Sequence, residues 1–190
     1  LDIADAFGTI AVEVILDFLA RTGLSYEACL LIKEIYRNCS HKVICGAQKT
    51  QNISVKLGVR QGCPLSMILF NIGINPLLLL SDMVLETGTT IGDHRICGLA
   101  FADDLALIAP SKAAAQKLAD AAQYIANVLG LTFRSSKCAL LSLPQNNEEQ
   151  ITINGESIAI IKPGEIQVYL GTDLGHFTSS TPEALFKRLN

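Results

Sequence analysis

The sequence predicts an α+β protein, an antiparallel sheet with helices packed on one face. Three observations point there. Apolar residues at 12, 15, 16, 18 and 19 recur at helical spacing. Short segments such as Ile53–Leu57 alternate apolar and polar, as half-buried strands do. The order of elements is strand, two helices, hairpin, helix, hairpin, helix, strands, and strands joined by short turns pair antiparallel.

Leu1 to Ala4 reads as the end of a buried strand carrying Asp2, and Ala6-Phe7-Gly8 turns the chain. The helix over Val12 to Arg21 stops at Thr22-Gly23. Ser25 caps a second helix that runs to about Asn38, with Leu30, Leu31, Ile35 and Tyr36 expected inward. His41–Cys45 and Ile53–Leu57 form a hairpin around a polar turn from Gly46 to Asn52. Gly58 to Ser66 is a loop feeding a helix, with Pro64 near the helix start where a missing N–H costs nothing. That helix is expected to reach about Leu85, with a bend at Pro76.

Ile96 to Ala102 and Leu105 to Ala109 make the next hairpin, bent at Asp103-Asp104. Ser111 caps a helix from Lys112 to Leu129 that ends at Gly130. Cys138–Leu143, Ile151–Ile153, Ser157–Ile161 and Ile166–Tyr169 follow as strands, separated by Asn154-Gly155 and Pro163-Gly164 turns. Thr181-Pro182-Glu183 starts a further helix.

A chain of 190 residues that is 49% hydrophobic can bury one substantial core. Leu65 to Leu80 is the most membrane-like stretch, but Ser66, Asn71, Gly73, Asn75 and Pro76 interrupt it, so it reads as a core helix and no membrane partner is expected. The six cysteines lack any Cys-x-x-Cys pair, which argues against zinc; Cys29, Cys45, Cys97 and Cys138 sit among apolar residues, as buried thiols in a reducing compartment do. The net charge of −3 argues against a stand-alone nucleic-acid binder. No basic leader with a cleavage site is visible, and a start at Leu1 inside a strand reads as a piece of a longer polypeptide.

Asp103-Asp104 is the costliest local feature. Two adjacent carboxylates between apolar strands repel each other and lose hydration unless a cation compensates them. Asp2 lies in a similar apolar setting, and pairing its strand with the hairpin would gather all three. Hard divalent ions take such oxygen ligands, and two of them can clamp both oxygens of an in-line phosphoryl displacement. Taken alone, an Asp-Asp dipeptide is more often a solvated turn than a metal site.

Five stretches occur in order: Asp2-Ile3-Ala4-Asp5-Ala6-Phe7; Gly58-Val59-Arg60-Gln61-Gly62-Cys63-Pro64-Leu65-Ser66; Phe101-Ala102-Asp103-Asp104; Gly130-Leu131-Thr132-Phe133 with Lys137-Cys138; and Tyr169-Leu170-Gly171. Together they resemble the palm of a reverse transcriptase (an RNA-directed DNA polymerase). The similarity is to non-LTR retrotransposons, including those that insert into ribosomal DNA. The resemblance implies a palm with a ferredoxin-like core over residues 1–175, and the start of a thumb or connection at 176–190. The fingers and most of the thumb are expected outside this chain, where their basic surfaces would offset its acidity.

The resemblance also implies roles. Asp2 and Asp103 match the metal-binding catalytic aspartates, Asp104 the adjacent one, and Ile3 the position whose carbonyl joins the coordination of two Mg2+ ions, with Mn2+ as a substitute. Nucleotide contacts are implied for Asp5, Ala6 and Phe7, with the Phe7 ring closing the space of a 2′-hydroxyl; ordinary core packing is the rival reading. Gln61 and Gly62 match the loop along the nascent base pair. Arg60 serves a phosphate or is a surface charge. Lys137 matches a lysine that protonates the leaving pyrophosphate, unless it is simply solvated. Tyr169, Leu170 and Gly171 resemble the primer grip, though alone they carry no signal.

The implied partners are an RNA template, a DNA primer and deoxynucleoside triphosphates, in the nucleus. Gly8 and Met67 depart from the usual Asp and Pro, and neither removes a ligand. The alternative is an inactive retroelement remnant that binds or scaffolds. Phe7 disfavours a palm polymerase that uses ribonucleotides. The fragment by itself is expected to be poorly active or inactive.

Overall fold

The computed structural model describes residues 1–37, 39–79, 84, 87–142 and 150–175. It is α+β, built from small, mostly antiparallel sheets and helices around one apolar core. Helices α1 (Ala6–Thr9), α2 (Val12–Arg21) and α3 (Tyr26–Arg37) come first. Four two-residue strands follow: β1 (Ser40–His41), β2 (Ile44–Cys45), β3 (Gln48–Lys49) and β4 (Ile53–Ser54). Helix α4 (Pro64–Leu78) leads to the hairpins β5 (Thr89–Ile91)/β6 (His94–Ile96) and β7 (Gly98–Phe101)/β8 (Asp104–Leu107). Helix α5 (Lys112–Val128) precedes β9 (Ala139–Leu140), β10 (Thr152–Ile153), β11 (Glu156–Ser157), β12 (Ala159–Ile160), β13 (Ile166–Tyr169) and β14 (Thr172–Gly175).

Caps and turn residues act where the sequence places them. The Ser25 hydroxyl accepts from the Ala28 N–H at 3.3 Å, and the Ser111 hydroxyl from Ala114 at 3.2 Å. Pro64 is the first residue of α4. Asn154 (φ 55°) and Gly155 (φ 77°) form the two-residue turn between β10 and β11.

Other expectations are corrected. The inward stripe of α3 is Cys29, Ile32 and Tyr36; Leu30, Leu31 and Ile35 are exposed, because α3 packs on α2 along one narrow seam. The 41–57 hairpin closes at its base, where His41 pairs antiparallel with Ile53, but β2 turns straight into β3 at Gly46-Ala47, so the expected polar turn is part ladder. Helix α4 ends at Leu78, two residues after Pro76, short of Leu85. The β7/β8 hairpin is not buried on both faces, since Leu99 and Phe101 are exposed. Strand β12 pairs parallel with β9, with the β10/β11 hairpin lying between them in the chain. Cys45 is exposed, while Cys97 and Cys138 are buried and Cys29 half-buried. The β5/β6 hairpin and strand β14 escaped the sequence reading. Leu143 and Thr181-Pro182-Glu183 lie outside the described residues.

The core runs through Ile3, Ile10, Ile15, Leu69, Phe70, Leu77, Leu105, Leu118, Leu131, Phe133 and Ile153. Leu69, Phe70, Ile74 and Leu77 bury the apolar stretch of α4, as its core-helix reading requires. Among the described residues, no helix is long and apolar enough to cross a membrane. Helix α4 packs on β7 and α5 on β8 and β10, so two helices back the central hairpin.

Residues 1–4 are the seam of the fold. The Leu105 N–H donates to the Leu1 carbonyl at 3.3 Å on one side. On the other, Ala4 donates to Thr132 at 2.8 Å and Arg134 donates to Asp2 at 2.9 Å. The first strand therefore lies between β8 and the segment 132–134. A second lock joins the chain turn at residue 7 to the loop after β4: Val59 donates to the Phe7 carbonyl at 2.7 Å and Gly58 to that of Ile10 at 2.9 Å.

Gly58 is the tight point of that lock. It has φ +84°, and a Cβ there would stand 2.6 Å from the carbonyl oxygens of Phe7 and Gly8. Gly62, three residues into the exposed turn, has φ +81° with open space around it. Gly58→Ala is expected to cost about 2–4 kcal/mol, strain and clash together, and Gly62→Ala about 1–2 kcal/mol for strain alone. Urea denaturation of the two variants checks the ordering.

Candidate active site

Asp2 and Asp104 stand directly opposite one another in an antiparallel bridge. Residues so opposed hold their Cβ atoms about 4.5–5.5 Å apart and point to the same face of the sheet. Like charges in that relation destabilise the pairing. The next bridge in the first strand joins Ile3 to Phe133, and both are buried. With period-two alternation, Asp2 and Asp104 face the opposite side from Ile3, away from the core.

Asp103 occupies the turn itself, with Ala102 in the left-handed region at φ 51°. The sequence reading pairs Asp2 with Asp103; the register puts Asp104 across from Asp2 and Asp103 at the bend beside them. Both hairpin carboxylates are half-exposed. Among the described residues, no three His, Cys, Asp or Glu side chains close into a metal cage. Two opposed carboxylates with a third at the turn suit an ion that takes one or two carboxylates and completes its shell with phosphate oxygens and water.

The donor set passes a direct test of fit. The Asp2 Oδ2 atom is buried and accepts no hydrogen bond. A buried, unpartnered carboxylate oxygen is costly in a finished site and is a natural ligand position. Its nearest cation is Arg134, whose Nη1 lies 4.0 Å away. The Asp2 N–H contacts the buried Cys138 sulfur at 3.4 Å, which anchors the backbone of residue 2.

Phe7 is half-buried and stacks on the fully buried Phe70, with ring centroids 4.2 Å apart and planes 20° apart. Phe70 thus fixes the orientation of the Phe7 ring. Ala6 is buried in the core, so it offers backbone rather than side chain. Asp5 is exposed in the left-handed region at φ 45°. Its carboxylate covers Gly8, where an added Cβ would meet Asp5 Oδ2 at 2.3 Å. The departure at Gly8 is therefore tied to Asp5: the small residue leaves the room that the carboxylate fills.

Gln61 and Gly62 are exposed on the turn that the Gly58 lock holds against Phe7. At the start of α4, backbone N–H groups of Ser66 and Leu65 lower the Cys63 thiol pKa, helped by the Ser66 hydroxyl and the Arg60 charge. Arg60 is exposed. Lys137 closes the short helical turn Ser135–Lys137 and is exposed; its side chain is not brought to the carboxylates by any hydrogen bond or ion pair among those described.

The Tyr169–Thr172 turn has Leu170 at φ 49° and Gly171 at φ 75°. Burial raises the Tyr169 phenol pKa, and the Asp104 charge raises it further. Among the described residues, three of the four non-glycine residues with positive φ are Asp5, Ala102 and Leu170. Each belongs to a stretch singled out from the sequence, and backbone strain gathers where a site over-determines it.

Sequence reasoning missed Arg134. Its signal was present, a cation within the Gly130–Cys138 stretch, but only the strand pairing shows that it faces Asp2.

Residues 1–173 match the family model described as reverse transcriptase (RNA-dependent DNA polymerase). The chain is similar to the Retrovirus-related Pol polyprotein from type-1 retrotransposable element R2 of Nasonia vitripennis, with 32% identity over 93% of the chain and 17% of the relative. The corresponding polyprotein of Popillia japonica is 29% identical over 86% of the chain and 26% of the relative. That of the type-2 element R2DM of Drosophila melanogaster is 26% identical over 91% of the chain and 16% of the relative. The chain thus spans about a sixth to a quarter of these relatives' length.

The difference in alkaline phenolate absorbance between the chain and Tyr169→Phe isolates Tyr169. Its midpoint should lie above about 10, the ordinary tyrosine value. In Asp104→Asn the midpoint should fall only part of the way back, since burial, the larger cause, remains.

Proposed function

The chain belongs to the reverse transcriptase (RNA-dependent DNA polymerase) family, and from that premise we propose that it is the palm of such a polymerase in a non-LTR retrotransposon of the R2 type. In this reading residues 1–175 form the palm, with its ferredoxin-like core, and residues 176–190 begin the thumb or its connection. The parent polypeptide joins deoxynucleotides to a DNA primer on an RNA template, in the nucleus and into ribosomal DNA. The 190 residues alone have little or no polymerase activity, because the parts that grip triphosphate and duplex lie elsewhere in the parent.

The observation that carries the reading is the opposition of Asp2 and Asp104 together with an Asp2 Oδ2 atom that is buried and accepts no hydrogen bond. Asp2, Asp104, Asp103 and the Ile3 carbonyl would hold two Mg2+ ions, or Mn2+ in their place. When bound, such ions supply Lewis-acid activation of the attacking hydroxyl and neutralise charge on the leaving group. The protein's own residues position the reactants. Phe7, backed by Phe70, is the floor under the incoming sugar and leaves no volume for a 2′-hydroxyl. Asp5 and Ala6 line the same turn.

Gln61 and Gly62, held against that floor, face the new base pair. The Tyr169-Leu170-Gly171 turn orients the primer end. Lys137 donates a proton to the pyrophosphate and reaches it only when substrate draws the exposed side chain inward.

Primer extension by the parent polypeptide tests this. Asp2→Asn or Asp104→Asn should each lower the rate at least about 100-fold with primer–template binding intact. Phe7→Val should raise ribonucleotide incorporation about 10-fold or more. Unchanged extension in both Asp variants would remove the site, and unchanged sugar selection in Phe7→Val would remove the floor.

A further inference from the structure

The register that opposes Asp2 to Asp104 also extends to the other neighbour of the first strand. Ile3 opposes Phe133, so Asp2 opposes Arg134, and the Arg134 N–H donates to the Asp2 carbonyl at 2.9 Å. Arg134, Asp2 and Asp104 therefore form one row across three adjacent segments, on one face of the sheet. The charges in that row read plus, minus, minus. Opposite charges facing across strands stabilise the pairing and like charges weaken it. The row has a favourable half and an unfavourable half, with Asp2 shared between them.

Two details fix the character of the favourable half. Arg134 Nη1 stands 4.0 Å from Asp2 Oδ2, close enough for charge attraction and too far for a hydrogen bond. Oδ2 is also the oxygen that accepts no hydrogen bond. The guanidinium neutralises this atom without occupying it. Both side chains keep partial access to solvent, 43% for Arg134 and 32% for Asp2, so the arginine has room to withdraw.

We propose that Arg134 is a tethered counter-cation of the carboxylate site, holding Asp2 beside Asp104 when no divalent ion is present and competing with that ion for Asp2 Oδ2. This rests on the proposed metal site. It adds a positioning residue that sets how tightly that site holds its ion and lets the strands stay paired without it. Arginine suits the task, because its charge persists at any physiological pH and is weakly hydrated.

The test uses the 190-residue chain. The Leu1 ammonium also feels Asp2 and Asp104, so every chain compared carries an acetylated N-terminus. The first arm is metal-free. Urea unfolding of the unsubstituted chain, Arg134→Gln, Asp2→Asn and the double variant forms a cycle. Arg134→Gln should destabilise the chain when Asp2 is charged and have little effect in the Asp2→Asn background.

The second arm is Mn2+ titration read by electron paramagnetic resonance. Arg134→Gln should bind Mn2+ roughly 3- to 10-fold more tightly at low salt, the gain shrinking as salt screens the pair. Arg134→Lys, which keeps the charge, should bind like the unsubstituted chain. Additive behaviour in the cycle, or equal Mn2+ affinity of the unsubstituted chain and Arg134→Gln, would overturn the proposal and leave the metal site standing. Absence of Mn2+ binding in every chain would overturn the metal reading itself and the competition with it.

Discussion

Two carboxylates set directly against each other across a pair of strands are a liability that a fold must hold in place by other means. Here the means surround them. The first strand is hydrogen-bonded on both edges, to β8 and to the segment 132–134. Ile3, Leu105 and Phe133 sink the opposite face of those segments into the core. Helices α4 and α5 back the hairpin. The apolar side fixes the register and the register then fixes the charges, since a slip of one residue would exchange the faces.

The same arrangement explains why the neighbouring stretches matter. Phe7 follows Asp2 by one turn and is held flat on Phe70. The Gln61 loop reaches that ring through main-chain bonds from residues 58 and 59. The Asp104 charge also raises the Tyr169 phenol pKa, after burial. Segments far apart in the chain meet around one row of charge, and the strained residues lie among them. In the proposed reading this row is where nucleotidyl transfer is organised, and its counter-cation is carried by the chain itself.

Much of this was legible in the sequence, for local reasons. Ser25, Ser111, Pro64 and Asn154-Gly155 act through residues two to four positions away, so their effects can be read along the chain. The Asp103-Asp104 bend stood out because its cost is local too. What was hidden depends on pairing. Whether Asp103 or Asp104 opposes Asp2 is a matter of one residue of register over a separation of about a hundred. Arg134 is one cation among fifteen Lys and Arg until the strands align. Helix α3 carries apolar residues on more than one side, and only its neighbour decides that Cys29, Ile32 and Tyr36 turn inward. The parallel pairing of β9 with β12 joins residues 139–140 to 159–160 across the β10/β11 hairpin, a separation that no local window contains.

The Gly58 contact has a mechanical consequence. Two main-chain bonds and a glycine with no room for a methyl group weld residues 7–10 to residues 58–59. The ring at one end of this weld and the glutamine turn at the other are a single lever. In the proposed reading the ring lies under the sugar and the turn along the base pair, so this weld would make fit of the base and fit of the sugar one gauge rather than two, set by the thickness of a hydrogen atom at residue 58.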